Sequence, residues 1–392
     1  MASSRTIRIY IWGSAIISES SFDKRFFFAG GGTGGHLYPA IAVAEQIVRL
    51  EPKSQIHFLC SSRSIDAHIL SQTGFEYTAL PAEAFPSRLG RLTGFLGSLW
   101  KSYKTAAEEI TRNKRTVVIG LGGFVAGPVC LAAHRHKIPV ALLNVDIVPG
   151  RANKIIARWA EEIFVQFEDT AKYFAKGNSN VNVVGCPLRS GFTNPEPEKA
   201  IKQLGLDKKK KTLLITGASS GSANINQAIC SLFEKLDRFA NNWQIVHLTG
   251  RDNFEKISSK NIHPKIDYKV IGYFDEMPNL LAAADLVIGR SGAVSVAEFA
   301  AAAVPGICIP YPYHKDRHQY LNAGKLVEAG AAVIVDDLPD KKEFSEWLWE
   351  ELEELMQDEN KRQKMKLACK AIAKPRADVE IAEKLINITD KQ

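Results

Sequence analysis

The sequence predicts an α/β protein built from two doubly wound domains that face each other across a cleft. Three observations carry this. From Phe26 onward, short β-rich runs alternate with helical patterns, as parallel sheets covered on both faces require. The alternation pauses after Cys186 and Pro187 and then restarts, so the chain holds two similar arrays. Each array opens on a glycine loop that joins its first strand to its first helix. A chain of 392 residues is long for one core and natural for two.

Taken in order, Arg5 and Arg8 precede a short apolar run over 9–17. Gly13 and Ser14 interrupt it, so it is a weak secretory signal and reads as a poorly ordered extension. The first array places strands at 25–29, 55–60, 116–120, 139–143, 162–166 and 181–184, with a helix over 37–50 after the first glycine loop. A polar stretch with Pro195 and Pro197 follows, then a lysine run at 208–211 that reads as a solvated turn. The second array places strands at 212–216, 244–248, 268–271, 286–288, 306–309 and 332–335, with a helix over 224–239. Pro375 marks a break before a last amphipathic helix. The resulting division is 25–187 and 188–374, with the helix over 375–392 packing back on the first domain.

Composition narrows the function. Hydrophobic residues make up 45% and charged residues 24%, as in ordinary soluble domains. The net charge of +7 suits an anionic partner such as a nucleotide, phospholipid or pyrophosphate, but is too small to indicate nucleic acid. Six cysteines are scattered without a Cys-x-x-Cys pair and read as small buried hydrophobes in a reducing compartment. No apolar run reaches the roughly 18 residues needed to span a bilayer.

The chemistry sits at strand ends. Phe26, Phe27 and Phe28 lead into Gly30, Gly31, Gly32, Thr33, Gly34, Gly35 and His36. A strand that breaks into glycines and reopens as a helix aims unpaired N–H groups and the positive helix end at one spot, which suits a phosphate or oxyanion. His36 adds a titratable group in the first turn. The glycines also satisfy Gly-x-Gly-x-x-Gly, but the second strand ends in Ser61, Ser62 and Arg63 without the acid of a dinucleotide site. Gly122, Gly123 and Phe124 form a further junction, either a plain turn or a second wall of the acceptor site. In the second array, Gly217, Ala218, Ser219, Ser220 and Gly221 make a Gly/Ser loop. Gly289, Arg290, Ser291 and Gly292 precede Glu298, whose carboxylate in the second helical turn can accept two hydrogen bonds from a ribose. A dense polar run from His314 to Asn322, with Asp316, His318 and Gln319, follows another strand. Leu92, Phe95, Leu96, Leu99 and Trp100 make an apolar stripe bracketed by Arg88, Arg91, Lys101 and Lys104. It fits either a core-facing helix or a membrane surface, and Gly90, Gly94 and Gly97 favour the latter.

Together these motifs resemble the MurG family of peptidoglycan glycosyltransferases over nearly the whole chain. The stretch from Gly31 to His36 matches the family's N-terminal signature. Gly289, Arg290, Ser291, Gly292 and Glu298, followed by His314, Lys315, Asp316 and Arg317, match its donor signature. The resemblance implies two Rossmann-like domains in the glycosyltransferase B architecture. It implies inverting transfer of N-acetylglucosamine (GlcNAc) from UDP-GlcNAc to lipid I, a polyprenyl-pyrophosphoryl muramyl-peptide, giving lipid II. Neither a cofactor nor a metal is implied. The setting implied is the cytoplasmic face of the membrane, an anionic surface, in company with other cell-wall synthesis proteins. By motif, His36 would be the base, with Asp146 the second candidate. Gly32, Thr33, Gly34, Gly35, Phe124 and Asn144 would line the acceptor pyrophosphate. Arg189, Ser219, Gly221, Arg290, Ser291, Gly292, Glu298, His318 and Gln319 would hold the donor. The chain departs from the pattern at Asn144, where the family has glutamate, at Phe124 for tyrosine, and at Ala218 and Ser220 for glycine and glutamine. His318 and Gln319 stand where two glutamines are usual. A same-family transferase with another lipid acceptor, such as a diacylglycerol, and a UDP-sugar-binding homologue without catalysis are the alternative readings.

Overall fold

The computed structural model describes residues 9–12, 15–18, 23–32, 34–83, 92–112, 115–174, 180–218, 221–260 and 264–392. The N-terminal extension, expected to lack order, forms an antiparallel hairpin of β1 (Ile9–Trp12) and β2 (Ala15–Ser18), with Ile11 opposite Ile16. Isoleucines on both strands, with Tyr10 and Trp12 on the first, favour that pairing.

The first domain is a seven-stranded parallel sheet. Its strands are β3 (Lys24–Ala29), β4 (Ser54–Ser61), β5 (Glu76–Leu80), β6 (Thr116–Gly120), β7 (Val140–Asn144), β8 (Glu162–Val165) and β9 (Asn180–Val183), in the order β5-β4-β3-β6-β7-β8-β9. Phe26 and Phe28 enter the core on one face of β3, and Phe27 enters the core on the other. The sequence did not reveal β5. It is an edge strand whose residues alternate between exposed and half-buried, so it lacks the continuous apolar run of a central strand.

The second domain is a six-stranded parallel sheet of β10 (Lys211–Thr216), β11 (Trp243–Leu248), β12 (Asp267–Ile271), β13 (Leu286–Gly289), β14 (Gly306–Cys308) and β15 (Ala332–Ile334), in the order β12-β11-β10-β13-β14-β15. The helix expected over 224–239 is divided into Ala223–Ser231, Phe233–Leu236 and a 3₁₀ turn at Asp237–Phe239. Both sheets reverse strand order beside their first strand, between β3 and β6 and between β10 and β13. Ligands of such sheets bind at that reversal, outside the carboxyl ends of the strands. The glycine junctions after β3, β6, β10 and β13 all lie there.

The last helix, Ala377–Asp390, returns to the first domain, where Ile381, Ala382 and Leu385 join the core that contains Phe26 and Phe28. Gln46 donates to Asp378 at 2.8 Å, and Lys24 pairs with Asp390 at 2.8 Å. All six cysteines are free, and all but the half-buried Cys230 are buried.

Candidate active site

A cavity of about 390 Å³ lies between the domains, bounded by His36, Asp146, Arg189, Glu298 and His318 among others. On the first domain's wall, the helix Gly34–Leu50 begins three residues earlier than the sequence pattern suggested, so His36 is its third residue. His36 is half-buried, with Nδ1 3.3 Å from the Gly31 carbonyl. Gly34 and Gly35 line the same wall, and Thr33 lies outside the described residues.

Gly32 corrects the sequence reading. Its N–H, expected to face the acceptor's pyrophosphate, donates to both oxygens of Asp66 at 2.8 Å. Asp66 is fully buried and also accepts from the Ser61 N–H at 3.1 Å and the Ser61 hydroxyl at 2.5 Å. Gly32 has φ +89°, and a Cβ on Gly31 would collide with the Asp66 carboxylate, so this loop has little room for side chains. Arg63 donates to the Gly32 carbonyl at 3.1 Å while lying over the Phe124 ring. Asp66 thus shapes the loop from behind. Its signal in the sequence was slight: an acid five residues past the end of the second strand, outside any motif.

Asn144 ends β7, and Asp146 lies on the loop that follows. Asn144 is buried, donates to the Asp146 carbonyl at 2.7 Å and accepts from Asn153 at 2.8 Å. It therefore folds the loop on which Asp146 is carried. Asn322 of the second domain reaches across: its Nδ2 donates to the Asp146 carboxylate at 3.2 Å, and its Oδ1 accepts from the Ile147 N–H at 3.2 Å. His36, Asn144, Asp146 and His318 share a smaller compartment beside the main cavity.

The second domain supplies the opposite wall. Gly292 caps the helix Ala293–Ala301, with open space around the position a Cβ would take. Glu298 lies one and a half turns in, its side chain 15% exposed, with Arg189 Nη2 at 4.0 Å. Burial pushes its carboxyl up to about 7, against the opposing pull of Arg189. Arg189 stacks on Tyr38 at 4.7 Å and donates to the Asp275 carbonyl at 3.2 Å, yet its buried Nε has no partner among the described residues. Tyr38 meets Tyr273 of the second domain hydroxyl to hydroxyl at 3.2 Å. Gln319 accepts from the Tyr311 N–H at 2.9 Å and borders the main cavity.

Two expected donor contacts serve the scaffold in this structure. Arg290 donates to Ser222 Oγ at 2.8 Å and to the Ile309 and Pro310 carbonyls, and pairs with buried Asp337 at 2.7 Å. It ties the loops after β10, β13, β14 and β15 together. Ser291 is fully buried, and its hydroxyl has no partner among the described residues. Gly221, with φ +72°, packs on the Thr249 carbonyl so closely that a Cβ would overlap it. Ser219 lies outside the described residues.

The apolar stripe falls on the helix Leu92–Ile110, which docks through Ser102, Ala106 and Ile110, all fully buried. Leu96 is 55% and Trp100 66% exposed, Phe95 and Leu99 are half-buried, and Lys104 lies over the Trp100 ring. The stripe's exposed members therefore do not belong to the core. Arg88, Leu89, Arg91 and the Leu92 side chain lie outside the described residues. Among the described residues, no helix is long and apolar enough to cross a membrane, and no group of three or more His, Cys, Asp or Glu could hold a metal ion.

Two facing doubly wound domains with glycine junctions at both strand reversals form the glycosyltransferase B architecture. The model of the glycosyltransferase family 28 N-terminal domain matches residues 26–165, and that of the family 28 C-terminal domain matches residues 212–381. The chain is 35% identical over 361 residues to the UDP-N-acetylglucosamine--N-acetylmuramyl-(pentapeptide) pyrophosphoryl-undecaprenol N-acetylglucosamine transferase of Halothermothrix orenii, covering 90% of this chain and 95% of that one. The transferase of the same name from Caldanaerobacter subterraneus is 33% identical, with 93% and 100% covered. The crystal structure of Acinetobacter baumannii MurG superposes with a TM-score of 0.70 at 23% identity, covering 93% of this chain and 99% of that one. The chain belongs to the MurG family of glycosyltransferases.

Proposed function

We propose that this protein transfers GlcNAc from UDP-GlcNAc to the muramyl sugar of a polyprenyl-pyrophosphoryl muramyl-peptide, making the lipid II type of product. The observation that supports this best is the pairing across one cleft of His36 and its glycine loop with Glu298 and Arg189. The family-28 relatives carry the same activity in their names.

In this reading the buried Glu298 carboxylate accepts the ribose hydroxyls, and the Gly292 end of its helix faces the diphosphate. Arg189 stands beside Glu298, and its Nε has no partner among the described residues. The acceptor hydroxyl attacks the anomeric carbon from the side opposite UDP, which inverts it. His36 takes the hydroxyl proton: with Nδ1–H on the Gly31 carbonyl, Nε2 is the free base. Asp146, held by Asn322, orients the acceptor. Arg189 and the helix ends offset the diphosphate charge, and no metal takes part. Leu96 and Trp100, flanked by Lys101 and Lys104, seat the enzyme on the anionic cytoplasmic face of the membrane, among other cell-wall synthesis proteins.

The test is incubation of purified protein with labelled UDP-GlcNAc and a panel of lipid acceptors. Label should enter the muramyl-peptide lipid. Label in a diacylglycerol instead would reassign the acceptor, and UDP-GlcNAc binding without any transfer would show a binding protein.

A further inference from the structure

The helix His318–Glu328 of the second domain begins with two residues that border the main cavity, His318 and Gln319. Asn322 and Lys325, one and two turns beyond His318 on the same face, both reach the first domain. Asn322 is fully buried. Besides its bonds to Asp146 and Ile147, its Nδ2 donates to the Ser291 carbonyl at 3.3 Å, on the loop after β13. The Ile147 carbonyl accepts from the Thr170 hydroxyl at 3.1 Å. Thr170 is fully buried in the short helix Glu168–Ala171. The loop that carries Asp146 is thus gripped from both sides, by Thr170 of its own domain and by Asn322 of the other.

The residue before Thr170 closes this grip from outside. Asp169 Oδ2 lies 2.5 Å from Lys325 Nζ, across the cleft. The two side chains are 43% and 29% exposed, so solvent weakens the pair without erasing it. Pairing with Lys325 holds the Asp169 carboxyl below its ordinary value, and Asp169, then Glu328, hold the Lys325 ammonium above its own. Glu328, 2.7 Å from Lys325, and Lys172 beside Asp169 are the neighbouring charges. Glu328 lies on the helix of Lys325 itself, so its bond ties nothing across the cleft, whereas Asp169 does. A separate cross-cleft contact, between the Tyr38 and Tyr273 hydroxyls, is uncharged, and salt does not screen it.

Building on the transferase reading above, we propose that Asp169 and Lys325 are a positioning pair for the transfer step, an ionic latch that keeps Asn322 on the loop carrying Asp146. The pair touches no reacting atom and acts through Asn322. When the latch opens, the His318–Glu328 helix draws back, the Ile147 N–H loses its acceptor and the Asp146 carboxylate loses its tether. Glu298 and the Gly292 helix end belong to the second domain, and opening the latch leaves them in place. The latch therefore bears on turnover and not on UDP-GlcNAc affinity.

The test compares the wild type with Lys325→Met, Asp169→Asn, Lys325→Glu and the reversed pair, Lys325→Glu with Asp169→Lys. A detergent-dispersed acceptor keeps membrane docking out of the assay. Lys325→Met and Asp169→Asn should each lower kcat about two- to fivefold, with the calorimetric dissociation constant of UDP-GlcNAc unchanged within about twofold. Raising salt from about 0.05 M to about 0.5 M should bring the wild-type kcat toward that of Lys325→Met and leave the variant's own kcat unmoved. The reversed pair should recover most of what Lys325→Glu alone loses. Hydrogen exchange reads the latch without turnover: the Ile147 amide should exchange about two- to fivefold faster in Lys325→Met, and the Leu142 amide within β7 should not. An unchanged kcat in Lys325→Met, or a reversed pair no better than Lys325→Glu, would overturn the proposal. Absence of transfer by the wild type to every acceptor, with Ile147 exchange still governed by Lys325, would overturn the transferase reading and the pair's part in it, and would leave only a structural contact.

Discussion

Glu298→Gln should separate function from stability in opposite directions. The Glu298 carboxyl, normally near 4.5, is pushed up to about 7 by burial. The side chain is only 15% exposed, so solvent screens it little. A group with a raised folded-state value contributes stability that is complete below about 4.5 and lost as pH rises through about 7. The difference amounts to roughly 3 kcal/mol. Glutamine has nearly the same shape and never ionises. Between pH 5 and pH 8 the wild type should therefore lose roughly 2–3 kcal/mol of unfolding free energy that Glu298→Gln keeps. Binding should move the other way. An ionised carboxylate accepts two ribose hydroxyls, whereas the amide accepts at only one atom, so UDP-GlcNAc affinity should fall by about 1–3 kcal/mol. Wild-type affinity should itself rise from pH 6 to pH 8 as the carboxylate forms. Urea unfolding of the unliganded protein at both pH values reads the first effect, and titration calorimetry the second. An unchanged dissociation constant would remove Glu298 from the donor site. Equal pH dependence of unfolding in the two proteins would show that burial does not perturb this carboxyl.

Four further outcomes follow from other parts of the structure. Leu96→Glu combined with Trp100→Glu should abolish sedimentation with anionic vesicles and leave the melting temperature unchanged, because both side chains are largely exposed; unfolding of the double variant would place them in the core. Ala218 holds φ +62° in the loop after β10, so Ala218→Gly should stabilise the fold by about 0.5–1 kcal/mol in denaturant titration, and a loss of stability would show that the methyl packs. Asp66→Ala leaves the Gly32 N–H of the glycine loop and the Ser61 N–H and hydroxyl at the end of β4 without their acceptor and should cost about 2–5 kcal/mol of unfolding free energy, with UDP-GlcNAc affinity changed much less than kcat; equal losses in both would mean the damage is global. His36→Ala should lower kcat about 10²–10⁴-fold with little change in UDP-GlcNAc affinity, and Asp146→Asn should cost less; the reverse order would make Asp146 the base.

The sequence was informative where one physical requirement dominates. Parallel strands covered on both faces must be apolar throughout, so β3, β6, β10 and β13 could be placed nearly to the residue, and the glycine junctions after them followed. The edge strand β5 faces solvent on alternate residues and gave no such pattern. At the site, the same logic located the walls but could not assign work within them. Arg290 and Arg189 are both arginines at loops near the cleft. Arg290 is neutralised by Asp337, a partner 47 residues away, whereas the Arg189 Nε has no partner among the described residues. Gly32 looked like an anion donor until Asp66, 34 residues on, was seen to hold its N–H. A polar group at a strand's end is free for a ligand only if nothing distant in sequence has already bound it. Long-range pairing is therefore what divides scaffold from site here.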